Sequence, residues 1–204
     1  YFLSEFKEVC ATLASLMKSA ATLPAAFFDE IQKSFPRDFL SQAEDDLQTY
    51  GKDWTKVFAP APSAIAFPRT TDEVSRLLKL CSANEIAVVP SGGRTGLAGG
   101  AVAAKGELVL SLARMNHMGP VDPLAQTVRV QAGAVTEAVH KHCEPLGLTW
   151  PIDFASKGSS HVGGNIATNA GGLCCVKYGV TTDYVLGLDV VLADGRLITL
   201  GGRR

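Results

Sequence analysis

The chain has 204 residues, 47% of them hydrophobic and 19% charged, which is enough for one or two globular domains with a sizeable core. The formal net charge of -1 leaves no basic excess to neutralise phosphates, so a nucleic-acid-binding role is excluded. No run approaches the roughly 18 apolar residues of a membrane span, and a transmembrane segment is excluded with it.

Phe2, Phe6, Val9, Leu13, Leu16 and Met17 recur mostly at three- and four-residue steps and predict an amphipathic helix ending before Pro24. The apolar stretch 9–28 is interrupted by Lys18 and Pro24, so it reads as helix and not as a signal peptide. Phe27, Phe28, Ile31 and Phe35 predict a second, short helix running up to Pro36. This helical segment is expected to bury its apolar faces against something larger and to carry no chemistry. A connector over 51–62 follows, with Trp54, Pro60 and Pro62.

Residues 64–67 read as a strand closed by Pro68, and Thr70-Thr-Asp-Glu73 offers a capping box for a helix over 72–84 with Val74, Leu77, Leu78 and Cys81 on its buried side. The apolar run 86–89 is the next strand. It delivers the glycine loop Pro90-Ser-Gly-Gly-Arg-Thr-Gly-Leu-Ala-Gly-Gly100 to the carboxyl end of a strand, where open α/β sheets commonly hold ligands. Arg94 is the only cation of that loop, and it faces either a phosphate or a carboxylate from elsewhere.

Residues 108–112 and 127–131 read as strands, with Gly119-Pro120 and Asp122-Pro123 turning the chain between them. A helix is predicted over 136–143. His140 and His142 lie two residues apart on it, so their rings diverge and a metal pair is not expected; each is read as a solvated or satisfied histidine. The glycine-rich stretch 153–172 is read as a second loop, and His161 inside it is either a cofactor contact or a solvent-facing loop residue. Residues 185–192 and 196–200 form a predicted β-hairpin around Asp194-Gly195. Five cysteines without C-x-x-C spacing suggest neither a disulfide framework nor a zinc site, which points to a reducing compartment, cytoplasmic or peripheral to a membrane. Cys174 and Cys175 are expected to be packing residues.

In both glycine stretches small residues let backbone N–H groups come close to a ligand, while Thr, Asn and Ser add short donors. Such N–H groups form anion-binding concavities suited to a large phosphorylated cofactor. A Rossmann fingerprint is missing, since no two glycines are separated by one residue, and the single Gly51-Lys52 pair is followed by Asp53, so there is no P-loop.

Pro90 to Gly100, Leu110-Ser-Leu-Ala-Arg-Met-Asn116, Gln131-Ala-Gly133, Pro151 to Gly172, Tyr178-Gly179 and Val185 to Gly195 together resemble the FAD-binding domain of the vanillyl-alcohol-oxidase-type flavoproteins. The likeness runs from about Asp46 to the end, and within the superfamily it is nearest to the branch of D-2-hydroxyglutarate dehydrogenase, D-lactate dehydrogenase and the glycolate oxidase FAD subunit. It implies an α+β, PCMH-type fold of two α/β subdomains over 59–204, preceded by a helical segment and connector over 1–58. The chain starts without Met and stops just after the hairpin, so the domain is expected to be truncated at its C-terminus, with the substrate domain absent.

The resemblance implies noncovalent FAD, because covalent relatives often carry His where this chain has Arg94. It implies cofactor contacts at Pro90, Gly92, Gly93, Arg94, Thr95, Gly96, Leu97, Gly99 and Gly100 of the first loop. Ala132 and Gly133 would touch the flavin side. Pro151, Asp153, Gly158, Ser159, Gly163, Gly164, Asn165, Thr168, Asn169, Gly171 and Gly172 would line the pyrophosphate, ribityl chain and isoalloxazine. The implied reaction is oxidation of a D-2-hydroxy acid, with an electron-transfer flavoprotein, quinone or cytochrome as acceptor. No catalytic residue and no metal ligand is named, because the family places these in the substrate domain; the fragment itself is expected to be inactive. A non-catalytic flavin-binding subunit and another alcohol oxidase or ether-lipid synthase of the superfamily remain as alternatives.

Overall fold

A computed structural model describes residues 23–55 and 57–202, and the helix expected over 2–17 lies outside the described residues. The first described helix, α1 (Ala25–Ser34), buries Phe27 and Ile31, and beyond it Phe35 and Phe39 stack with ring centroids 4.1 Å apart. A four-stranded sheet follows from β1 (Leu40–Ser41), β2 (Ala64–Ala66), β3 (Val88–Ser91) and β4 (Leu108–Ser111), in the order β1-β2-β4-β3. Only the β1 to β2 pairing is antiparallel. Between strands lie α2 (Glu44–Tyr50) and α3 (Thr71–Ala83).

The period of two along β2 and β4 builds the core on both faces of the sheet. Ala64, Ala66, Leu108 and Leu110 pack with Val74, Leu77, Leu78 and Cys81 of α3 and with Phe27 and Ile31 of α1. Ile65 and Val109 pack on the other face with Phe67 and Ala103, beside half-buried Leu47 and Tyr50. Leu77 is fully buried at the centre, worth about 2–3 kcal/mol relative to an exposed side chain. Phe27, Ile31 and Phe39 share this core with Ala64 and Leu108.

Three local readings shift. Thr70 caps α3 by accepting the Glu73 N–H at 3.1 Å, but the Glu73 carboxylate reaches past the cap to the Arg69 N–H at 2.6 Å, so the capping box is displaced by one residue. β3 begins two residues later than expected because the Ile86 N–H is taken by the Cys81 carbonyl at the end of α3. The strand expected over 127–131 is no regular strand. It meets 117–122 through the isolated bridges Met118 with Val130 and Asp122 with Thr127, whose registers differ by one residue, so no continuous ladder joins them.

The second half holds α4 (Thr136–Cys143), α5 (Val162–Ala167), α6 (Cys175–Tyr178) and the hairpin β5 (Gly187–Val191) with β6 (Leu197–Gly201). Ala134, Val139, Cys143 and Val162 form its own apolar cluster, flanked by half-buried Met118, Val128, Val130 and Trp150. The hairpin turns through the three residues Ala193, Asp194 and Gly195, with the Leu192 N–H on the Arg196 carbonyl at 2.8 Å. Gly195 has φ 81, and Ser75 of α3 donates to its carbonyl at 2.5 Å, which docks the hairpin onto the first half.

Candidate functional site

The buried Ser91 closes β3, hydrogen-bonds the Tyr50 carbonyl at 3.3 Å and hands the chain to the first glycine loop. The second glycine stretch is brought against it by a zipper: Val162 and Gly163 donate their N–H groups to the carbonyls of Ala134 and Ala132 at 2.9 and 2.8 Å. Residues 162–167, expected as loop, are the short helix α5. Two glycines hid that helix from a propensity reading, and these tertiary bonds hold its first turn.

The glycines separate into two kinds by what a side chain would meet. A Cβ at Gly93 would lie 2.0 Å from the Ser159 carbonyl oxygen, at Gly133 1.8 Å from that of Leu112, at Gly163 2.7 Å from the Ala132 Cβ and at Gly172 2.1 Å from the Asp153 carbonyl oxygen. Gly93 thus seals the first loop against the second stretch, Gly163 seals that stretch against Ala132, Gly172 closes the stretch on itself, and Gly133 packs on the end of β4. At Gly96, Gly100 and Gly164 a Cβ would meet nothing within 4 Å, and these three line open space. Gly92 lies over the His161 ring, Gly99 has φ 77, Gly158 has only Glu137 Oε2 at 3.9 Å, and Gly171 is in ordinary contact with Val180.

The side chains expected to serve as ligand donors are largely engaged within the fold. Asn165 is buried and donates to Thr136 Oγ1 at 2.7 Å, inside a buried trio completed by Ser160 Oγ, 2.7 Å from Thr136 Oγ1. Thr168 Oγ1 donates to the Gly164 carbonyl at 2.9 Å. Asn169, at φ 47, accepts the Thr182 N–H and hydroxyl on Oδ1 at 2.9 and 2.6 Å. Asp153 pairs with Lys157 at 2.9 Å, and this hydrogen bond holds its carboxyl below the ordinary value. Pro90 lies exposed in β3, Leu97 and Ser159 are exposed, and Thr95, Ala132 and Pro151 are half-buried.

Arg94 sits at φ 57 with its guanidinium 4.5 Å from the Tyr50 ring centroid and donates to the Gly92 carbonyl at 3.1 Å. Burial lowers its pKa, with Tyr50 opposing the change, and no carboxylate pairs with it among the described residues. His161 is no solvent-facing loop residue: it is 9% exposed, beneath Gly92. Burial lowers its pKa, the Arg94 charge adds to the effect, and its Nδ1 has no hydrogen-bond partner. The neutral ring is thus favoured at the seam of the two glycine stretches.

His140 and His142 turn to different carbonyls, those of Ile152 and Gly119, at 3.1 and 2.8 Å, as satisfied histidines. Cys174 and Cys175 are exposed, which corrects their reading as packing residues; Cys81 and Cys143 are the buried ones, the Cys81 thiol being pushed up to about 12. The short α6 carries Cys175 at its start. Asp53, Tyr50 and Thr136 reach the glycine stretches without any local signature, since each acts on residues at least 24 positions away. Among the described residues no cluster of three His, Cys, Asp or Glu could hold a metal, and no helix is long and apolar enough to cross a membrane.

The family model described as "FAD binding domain" matches residues 62–201. The chain is 49% identical over 170 residues to the D-2-hydroxyglutarate dehydrogenase of Xanthomonas citri pv. viticola, covering 83% of this chain and 36% of that protein. It is 42% identical over 173 residues to the glycolate oxidase subunit GlcD of Bacillus subtilis, covering 85% of this chain and 37% of that one. Among solved structures, alkyldihydroxyacetonephosphate synthase aligns with a TM-score of 0.77 at 25% identity over 91% of this chain and 35% of that chain. The chain thus spans a little over a third of the length of the curated relatives it matches.

Proposed function

The chain belongs to the FAD binding domain family, and on that premise we propose that it is the cofactor-holding part of an FAD-dependent dehydrogenase or oxidase of D-2-hydroxy acids, of the lactate, glycolate or 2-hydroxyglutarate class. The observation that supports this most is the sorting of the glycines: Gly93, Gly133, Gly163 and Gly172 pack closely on neighbouring backbone, Gly93 joining the two stretches, while Gly96, Gly100 and Gly164 leave backbone open for a ligand to approach. The N–H groups of Gly93, Arg94, Thr95, Gly96 and Leu97 take no acceptor among the described residues, which fits a pyrophosphate. Bound FAD supplies the acceptor for the hydride lost from the α-carbon as the hydroxy acid becomes the 2-oxo acid.

In this reading the first loop holds phosphate, Arg94 adds positive charge beside it, and Ala132, Gly133 and the 151–172 stretch carry the rest of the cofactor through backbone more than through side chains. Arg94 offers no nucleophile for a flavin bond, so attachment is noncovalent. Residues 59–204 form the FAD-binding unit and 1–58 its lead-in. The substrate-binding groups and the contact with an electron acceptor belong to the larger share of the relatives' length that this chain does not span. The free exposed thiols of Cys174 and Cys175 suit a reducing compartment. The test is a visible spectrum of the purified chain after FAD addition and gel filtration. Retained bands at about 370 and 450 nm are expected of protein-held flavin; a colourless, folded protein overturns the reading.

A further inference from the structure

We propose that Asp53 is a positioning residue for the first glycine loop, fixing its crown in the shape that receives the cofactor. The inference rests on the reading of that loop as part of an FAD site. Asp53 lies in the connector, 7% exposed, a carboxylate removed from water. Its Oδ1 accepts the Thr55 N–H at 2.9 Å and the Thr55 hydroxyl at 2.7 Å, and its Oδ2 accepts the Gly99 N–H at 2.9 Å. Burying a carboxylate is costly unless its oxygens are hydrogen-bonded, and here both are met by neutral donors on opposite sides.

Other contacts hold the loop on either side of Gly99. The Trp54 N–H reaches the Gly96 carbonyl at 3.2 Å, and the Ala103 N–H reaches the Gly51 carbonyl at 2.9 Å. Between those points Gly99 reverses the chain at φ 77, with the open Gly96 and Gly100 on either side. The Asp53 to Gly99 bond, made across 46 positions, is what fastens the middle of the arch. A loop already in its binding shape loses less entropy on taking up a ligand.

The experiment compares Asp53→Ala, Asp53→Asn and Thr55→Val in the whole chain by hydrogen exchange without FAD and by FAD titration. Asp53→Ala should speed exchange across 96–103 about tenfold and weaken FAD binding about tenfold. Asp53→Asn should fall between Asp53→Ala and the parent in both, because its Oδ1 can keep the Gly99 bond while its Nδ2 meets the Thr55 hydroxyl but opposes the Thr55 N–H. Thr55→Val disturbs the same connector and should leave loop exchange and FAD affinity unchanged. Unaltered exchange over 96–103 in Asp53→Ala overturns the inference, as does an equal effect of Thr55→Val, or unchanged FAD affinity in Asp53→Ala when the parent chain binds. A parent chain that takes up no FAD sinks the FAD reading instead, and the exchange comparison still decides whether Asp53 holds the loop.

Discussion

Gly163 and Gly164 are adjacent in α5, yet the structure gives them opposite duties, and the pair Gly163→Ala and Gly164→Val tests that division. At Gly164 a Cβ meets nothing within 4 Å and the residue is exposed, so a side chain there projects into open space. Valine is roughly 0.4 kcal/mol better than glycine inside a helix, and the FAD-free melting temperature should move by less than about 2 °C. At Gly163 the added methyl lies 2.7 Å from the Ala132 Cβ and 3.0 Å from its carbonyl oxygen. Overpacking of this kind costs about 1–3 kcal/mol, or about 2–12 °C for a domain of this size. Flavin affinity should follow the reverse pattern. The isopropyl group of Gly164→Val occupies the space through which the backbone is approached, and a loss of at least about a hundredfold, close to 2.7 kcal/mol, is expected. Thermal melts by circular dichroism and FAD titration by fluorescence read the two effects separately. Wild-type FAD affinity in Gly164→Val, or a melting loss there as large as in Gly163→Ala, would refute the sorting of glycines by open space.

The His161 pKa is depressed by burial and by Arg94, so the unfolded chain binds the extra proton and stability is lost as pH falls below about 6.5. His161→Gln should flatten the fall of the melting temperature between about pH 7 and 5, and an unchanged slope would contradict the buried neutral ring. Asp38 and Asp153, held low mainly by Arg69 and Lys157, lose their contributions only in the more acidic carboxylate range. Thr136→Val strands the Asn165 amide and the Ser160 hydroxyl in the core and should cost about 1–3 kcal/mol in chemical denaturation; a neutral result would mean the trio is not a structural tie. On acid precipitation of the FAD-loaded chain the flavin should stay in the supernatant, and a yellow pellet would refute noncovalent attachment. With no base assigned, the loaded chain should not oxidise D-lactate or D-2-hydroxyglutarate with a dye acceptor, and measurable turnover would show that one was overlooked.

What the sequence reveals depends on how local the cause is. The helix over 136–143 has its own apolar spacing, the hairpin has its Asp-Gly signal, and β4 is a continuous apolar run; all three are found where periodicity places them. The first glycine loop is likewise legible, because a strand followed by clustered glycines is a local pattern. Causes that lie far along the chain leave no such mark. The helical state of 162–167 depends on carbonyls from 132 and 134, the burial of His161 depends on the loop at Gly92, and the ladder at 127–131 breaks where its register against 118–122 shifts by one residue. The resemblance implies cofactor contacts at Asn165 and Asn169, while their side chains also have partners within the fold. Their partners, Thr136 and Thr182, are set by packing that no spacing reveals.

β3 ends the sheet among the described residues, with β4 on one side. The carbonyls of Ala87 and Ser91 face β4, accepting from Leu108 and Leu112, so alternation turns the backbone of Pro90 outward. An outermost strand normally presents a free N–H there, to which a strand of another copy can add. Proline removes that donor, and the strand is only four residues long. The residue that opens the first glycine loop thereby also withholds the donor that edge-to-edge strand addition would use.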